Sequence, residues 1–386
     1  MHNLLLVPKG DQHMARKRIC LFQVPPFSPA SVLGGSEVVA IYTAQALAAD
    51  NEVTVLHGFT AEPQKYRGPD FPAEILPAFP FAYEDFDNTG HVTPAFTPTA
   101  QRKIAEADVI VSMESSLNLP VSAARVVFLG GVNGPHTHDI VRHRCWDRLV
   151  VPSDFAARQV DPGWQPFDAS NREAVTHDPS IAVIESAVDT DLFRPDDSRG
   201  RYAKPVGGGL RLLYPHRPVL NKGFLRAVEL VKALEKKGHR ATLVVFDQPD
   251  GYAPEGLKQP AAESKCDVEI LPWQPRSAMP GIYQAADLTL VLGSHVEGFG
   301  LTAPESVACG TPALTHGAGF VKEMLPAGHG LFYVDPAADP EFLAEVALEA
   351  VAVGRDQCLE YGRPYIGRRY SVDRMNREFV ELVSEI

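Results

Sequence analysis

Residues 288–312 read LTLVLGSHVEGFGLTAPESVACGTP. The run 288–292 is apolar and of strand length. A turn carrying Gly298 and Gly300 follows, and 303–309 has the composition of a short helix stopped by Gly310. Residues 311–315 are strand-like again. Strand, glycine turn, helix and strand in succession is the repeating unit of a parallel α/β sheet. Ligands of such sheets sit beyond the carboxyl ends of the strands, and Glu297 stands at that place in the chain.

The same alternation extends outward. On the C-terminal side of the chain, 210–214, 241–246 and 268–271 read as strands. Residues 224–237 (FLRAVELVKALEKK) form an amphipathic helical pattern ending at Gly238. Helical patterns recur at 340–353 and 371–384. Toward the N-terminus, 18–24 (RICLFQV) and 52–57 (EVTVLH) read as strands around a helix at 36–49, with further strands at 108–112, 125–129, 149–151 and 181–186. Residues 59–98 lack periodicity; seven prolines, six phenylalanines and two tyrosines are scattered there. This stretch reads as an irregular layer over the sheet or as a loop shaping a pocket. Residues 191–209 are polar and rich in Pro and Gly and read as a linker, and the glycines at 207–209 follow no strand. The expected architecture is therefore α/β, with two doubly wound Rossmann-like domains facing a central cleft, 15–190 and 210–368. Residues 1–14 read as a leader or tag-like segment.

Composition narrows the function. The chain has 386 residues, 45% hydrophobic and 22% charged, enough for two globular domains. A net charge of −12 argues against nonspecific nucleic-acid binding, which needs a basic surface. The five cysteines, Cys20, Cys145, Cys266, Cys309 and Cys358, form no C-x-x-C pair, which fits a cytoplasmic location better than a disulfide framework or a zinc site. No apolar run approaches the roughly 20 residues of a membrane span, which leaves peripheral membrane contact open. No strand is followed by G-x-G-x-x-G, which argues against a dinucleotide-dependent oxidoreductase.

Four constellations carry chemistry. In the first, the N–H groups of Gly300, Leu301 and Thr302 open a helix and suit an anion such as a diphosphate. Glu297 can reach a neutral ligand group. Glu305 can accept hydrogen bonds from a ribose diol, or can close a capping box with Thr302. In the second, YPHRPVLNKG at 214–223 places Arg217 and Lys222 on one loop after a strand, where two cations can neutralise a leaving diphosphate. In the third, Gly34 and Gly35 precede the first helix, with Ser36 as N-cap. In the fourth, GGVNGPHTHD at 130–139 carries His136 and His138, too few ligands for a metal site by themselves. Arg142, Arg144 and Arg148 follow as an acceptor-side basic patch or an ordinary solvated face.

Glu297 and Glu305, with Gly298-Phe299-Gly300-Leu301 between them, closely resemble the E-x7-E motif of the large retaining GT-B glycosyltransferase family commonly called family 4. Arg217, Lys222 and Gly223 match that family's Arg-x4-Lys-Gly pattern, with His216 where a glycine is usual. Weaker matches at 151–155, 186–195 and 319–323 extend the likeness over roughly 17–386. The resemblance implies a GT-B enzyme, metal-independent and without a cofactor, that takes a hexose-type sugar from a nucleotide donor, UDP-sugar before others, with retention. It implies that Glu297 contacts the donor sugar and Glu305 the ribose, while Arg217 and Lys222 face the phosphates. Gly34, Gly35 and residues 298–302 would surround the donor, and Trp273 would neighbour the base. A histidine, His136 in preference to His138, would stand near the reacting centre, with His138, Arg142 and Arg144 toward the acceptor. It also implies that the last helix, 369–386, crosses back onto the first domain. The acceptor, whether a small molecule, a glycan or a lipid-linked sugar, is not legible. The competing readings are an idle nucleotide-sugar-binding protein and a sugar-nucleotide epimerase or phosphorylase on the same fold.

Overall fold

The structure is a computed structural model. It describes residues 16–24, 27, 34–59, 71–81, 91–92, 95–117, 122–131, 135–161, 178–195, 202, 208–216, 222–247 and 266–386, with the backbone alone at 91–92, 116–117, 135–136 and 138. Residues 1–14 and Arg217 lie outside the described residues, as do the side chains of His136 and His138.

Apolar, β-branched runs buried on both sides are the signature of parallel strands covered by helices. The first half of the chain supplies β1 Arg18–Gln23, β2 Glu52–Phe59, β3 Glu74–Pro80, β4 His91–Val92, β5 Val109–Met113, β6 Ser116–Leu117, β7 Ala124–Phe128, β8 Arg148–Val151 and β9 Ile181–Val183. Seven of them form one parallel sheet in the order β3-β2-β1-β5-β7-β8-β9, and β4 pairs separately with β6. The second half supplies β10 Leu210–Leu213, β11 Ala241–Phe246, β12 Val268–Leu271, β13 Leu288–Val291, β14 Ala313–Thr315 and β15 Leu331–Tyr333. These form a second parallel sheet, β12-β11-β10-β13-β14-β15. The strand order therefore reverses between β1 and β5 in one sheet and between β10 and β13 in the other. Those switch points are where open α/β sheets bind ligands.

Each strand presents alternate residues to opposite faces. In β1, Ile19 and Leu21 face the Gly35–Leu47 helix, while Cys20 and Phe22 face the Pro98–Glu106 helix. In β10, Leu212 packs toward the Phe224–Lys236 and Pro340–Gln357 helices, and Leu213 joins the layer holding the Met279–Ala285 and Thr302–Ala308 helices. The Phe224–Lys236 helix ends as its sequence indicates. Gly238 has φ +86°, and the N–H of His239 donates to Leu234 O at 2.9 Å, closing the last turn.

The described part of the 59–98 stretch is more regular than its composition suggests. It contains β3, whose Pro77 and Pro80 are tolerated because β3 is an edge strand. Phe79 and Phe96 of this stretch are core: Phe79 stacks on Phe22 at 5.2 Å, and Phe96 meets both edge-on. The first helix corrects the expected cap. It begins at Gly35, so Ser36 lies inside its first turn and Gly34 is the N-cap residue. Glu37 reaches back to accept the Gly34 N–H at 3.2 Å, which ties down the entry to the helix without a hydroxyl.

The chain returns to the first domain at its end. After the Pro340–Gln357 helix, a π-helical turn at Cys358–Gly362 and the Arg363–Arg369 helix lead to a helix at Val372–Ser384 capped by Ser371. Met375, Phe379 and Val383 are buried in the core layer of the first sheet with Ile19, Leu21 and Val39. Lys17 Nζ donates to Val383 O at 2.8 Å at the far end. Removing a fully buried phenyl ring costs about 3–5 kcal/mol. Phe379→Ala should therefore lower stability by about that amount in a urea titration, whereas a loss under about 1 kcal/mol would show that this helix does not share the core.

Candidate active site

The two sheets turn their carboxyl ends toward one cleft of about 500 Å³, within the range of ligand sites. Its floor is the turn after β13. Glu297 is clamped there by its backbone: it forms a parallel bridge with Gly319, and the N–H of Phe320 donates to Glu297 O at 3.0 Å. A Cβ on Gly319, which has φ +75°, would stand 2.2 Å from that same oxygen. Phe299 anchors the turn from below, its buried ring stacked on Phe320 at 5.4 Å and edge-on to Tyr370 at 5.2 Å. Gly300, with φ +84°, turns the chain into the Thr302–Ala308 helix. The first N–H groups of a helix have no intrahelical acceptors.

The turn is docked on the other domain. A Cβ on Gly298 would lie 2.0 Å from Gly130 O. Ser153 Oγ donates to Gly298 O at 2.6 Å and accepts the Ala156 N–H at 3.0 Å. Beside it, Arg158 grips both carboxylate oxygens of Glu323 at 2.6 and 2.8 Å. Gly34 and Gly35 line the cleft opposite, and a Cβ on Gly35 would touch Leu301 Cδ1 at 3.5 Å.

Lys222 leads into the Phe224–Lys236 helix and reaches across to Glu297, Nζ to Oε1 2.5 Å. Burial pushes the Glu297 carboxyl up, but the charge and hydrogen bond of Lys222, with smaller help from His295 and His216, hold it below the ordinary glutamate range. Burial lowers His216 to about 4, and Lys222 reinforces the shift. His295 is lowered for the same two reasons, so both rings are neutral at pH 7.

Glu305 does not cap its helix. Leu301 is the N-cap residue and no side chain bonds the helix start. The Glu305 carboxylate instead pairs with Arg276 Nη1 at 2.6 Å and accepts from Tyr283 Oη at 3.3 Å. Burial raises its pKa, and Arg276 and Tyr283 oppose the rise. The Arg276 guanidinium lies 4.7 Å over the Phe193 ring. Trp273 is exposed on the same side and lines the cleft. Among the remaining expected residues, His136 and His138 fall on the Pro135–His143 helix, and Arg142 is exposed in its last turn. Arg144 is committed to Asp178 at 2.7 Å and Ser180 at 3.1 Å, and Arg148 bonds the Asp147 carbonyl. Asp189 and Asp191 have D-x-D spacing. Asp189 accepts the Asp191 and Leu192 N–H groups and the Tyr42 hydroxyl.

The sequence reading also misses Arg276, His295 and Glu114. Arg276 stands on no glycine-bearing turn, whereas His295 lies on the turn after β13, two residues before Glu297, and has no spacing signature of its own. Glu114 carries a signal: it directly follows β5, beside the switch point of the first sheet.

Two Rossmann-like domains with a glycine-lined cleft between them define the GT-B architecture, and solved structures agree. Sucrose-phosphate synthase from Thermosynechococcus elongatus superposes with a TM-score of 0.74 at 17% identity, covering 96% of this chain and 99% of that one. Anabaena HepE in complex with UDP-glucose superposes at 0.68 and 16%, covering 95% and 100%. Residues 203–362 match the family described as Glycosyl transferases group 1. A D-inositol 3-phosphate glycosyltransferase of Mycobacterium leprae (strain Br4923) is 31% identical over 227 residues, 54% of this chain and 49% of the relative. The protein of that description from Mycobacterium tuberculosis (strain ATCC 25177 / H37Ra) is 35% identical over 182 residues, 45% and 34% of the two chains. The match thus spans half or less of the curated relatives' length.

The Glu297 clamp gives a direct test. In Gly319→Ala a left-handed φ and a 2.2 Å backbone contact must both be relieved. The expected loss is more than about 2 kcal/mol in denaturant titration, and an unchanged midpoint would refute the clamp. For the ion pair, the folded Glu297 pKa lies below its usual value, so the pair stabilises above about pH 4.5 and is lost as pH falls through the folded pKa. Lys222→Met should raise the Glu297 pKa, read by NMR of the labelled carboxyl. A lower or equal value would contradict the pairing.

Proposed function

We propose that this chain is a retaining, metal-independent glycosyltransferase that moves a hexose-type sugar from a UDP-sugar to a hydroxyl acceptor. The observation that carries the reading is the Lys222–Glu297 pair at 2.5 Å, at the switch point of the second sheet and on the floor of the interdomain cleft. The family of residues 203–362 and the names of the curated relatives support glycosyl transfer. Solved complexes of Anabaena HepE with UDP and with UDP-glucose make UDP-glucose the first donor to try.

In this reading the donor binds the second domain. The base lies near Trp273, the ribose diol near Glu305, and the diphosphate at the helix start after Gly300. Lys222 leaves Glu297 for the diphosphate, and Glu297 accepts hydrogen bonds from sugar hydroxyls. Arg217, five residues before Lys222, adds a second positive charge to the same loop. The acceptor oxygen attacks the anomeric carbon as the bond to the phosphate oxygen breaks. The bonding pair and then the acceptor proton go to the departing nucleoside diphosphate. The developing phosphate charge is met by fixed cations and N–H groups, so no divalent metal is called on. Each such preorganised contact contributes about 3 kcal/mol.

Glu297→Ala and Lys222→Ala should each slow UDP release from UDP-glucose by about 10²–10³-fold. UDP should still raise the melting temperature of Glu297→Ala, because bound ligand stabilises by mass action. EDTA should leave the rate unchanged, and the product should keep the donor's anomeric configuration by NMR. Wild-type turnover in Glu297→Ala would remove Glu297 from the mechanism, and an inverted product would remove retention.

A further inference from the structure

We propose that Glu114 is the acceptor-side carboxylate of the cleft, taking a hydrogen bond from an acceptor hydroxyl and selecting an uncharged polyol there over a phosphate-bearing one. The inference rests on the transferase reading above and deepens it.

Glu114 follows β5 at the switch point of the first sheet, and it lines the same cleft as Glu297 and Lys222 from the opposite domain. Its backbone is left-handed, with φ +54°, a conformation disfavoured for a residue with a side chain. Its N–H is fixed on Phe128 O at 2.7 Å. The carboxylate lies against the Gly130-Gly131 backbone. A Cβ on Gly130 would stand 2.5 Å from Glu114 Oε1, and the Gly131 N–H donates to the carboxylate. Strain of this kind persists only where the surroundings over-determine it. Here the surroundings are a glycine pair shaped around one carboxyl group.

The charged neighbours fix the chemistry. Glu297 faces Glu114 from the second domain and Glu37 from the Gly35–Leu47 helix, and Lys222 is already engaged with Glu297. Burial first, then Glu297 and Glu37, raise the Glu114 pKa to about 7 against the Gly131 hydrogen bond. A phosphate at this point would meet like charge, whereas a hydroxyl supplies a donor to a desolvated carboxylate that otherwise has the Gly131 N–H. Several of the proteins this chain resembles carry phosphorylated compounds in their names: D-inositol 3-phosphate, sucrose-phosphate and trehalose 6-phosphate. The carboxylate of Glu114 gives this cleft a reason to prefer the uncharged acceptor.

The test is UDP release from UDP-glucose with neutral probes (glucose, fructose, myo-inositol, maltose) and with glucose 6-phosphate and fructose 6-phosphate. Wild type should be stimulated by a neutral probe more than by either phosphate ester. Its kcat/KM for that probe should climb as pH rises through about 7, because the ionised carboxylate is the stronger acceptor for the hydroxyl. In Glu114→Gln the acceptor KM should rise about tenfold or more and the pH limb should flatten. The UDP-glucose dissociation constant should stay within about twofold. A phosphate ester as the better acceptor, no stimulation by any neutral probe, or an unchanged KM and pH limb would each overturn the proposal. The wild-type comparisons hold even if the variant fails to fold. Failure of wild type to bind any nucleotide sugar would instead overturn the donor-site reading itself.

Discussion

The site depends on one close approach, Gly298 against the carbonyl of Gly130, where a Cβ would have only 2.0 Å. No residue but glycine fits between the two backbones. With the Ser153 hydroxyl bonded to Gly298 O, this contact sets the distance between the two sheets at the cleft floor. Everything that faces the cleft is measured from it. Glu297 precedes Gly298 and is held by Gly319, while Gly130 is also the wall against which Glu114 lies. The helix at Val372–Ser384 acts at the opposite end of the molecule, tying the second domain's last segment into the first domain's core.

Two carboxylates on facing domains are thereby placed in opposite electrostatic states. Glu297 is buried but paired with Lys222, which holds its pKa below the ordinary glutamate value. Glu114 is buried among carboxylates with a backbone N–H for support, and its proton is held to about neutrality. Environments that drive like groups apart in pKa mark sites where protons and charge are handled. The neutral His216 and His295 beside Lys222 add no positive charge to that of its ammonium group.

Much of this is legible in the sequence because its signals are local. Glycine turns after strands mark the ends of a parallel sheet, and both carboxyl-end loops of the second domain can be read that way. Glu297 and Lys222 stand on those loops, and they meet in space. What stays hidden depends on tertiary contacts. Thr302 and Glu305 have the spacing of a capping box, yet Arg276 from a distant segment claims the carboxylate. A buried charge left without its partner costs more than a lost helix cap, so the ion pair wins. The proline-rich 59–98 stretch lacks alternation, yet supplies an edge strand and core aromatics, because an edge does not need every N–H. Glu114 has no glycine beside it in sequence. Its glycines come from the neighbouring strand end, sixteen and seventeen residues on, at Gly130 and Gly131.

The most direct measurement of the central claim is the structure of the complex with UDP-glucose. The expected result has the diphosphate between Lys222 and the N–H groups after Gly300, the glucosyl hydroxyls on Glu297, and the 2.5 Å Lys222–Glu297 contact opened. A nucleotide bound elsewhere, or one seated in the cleft with that ion pair intact, would contradict the account.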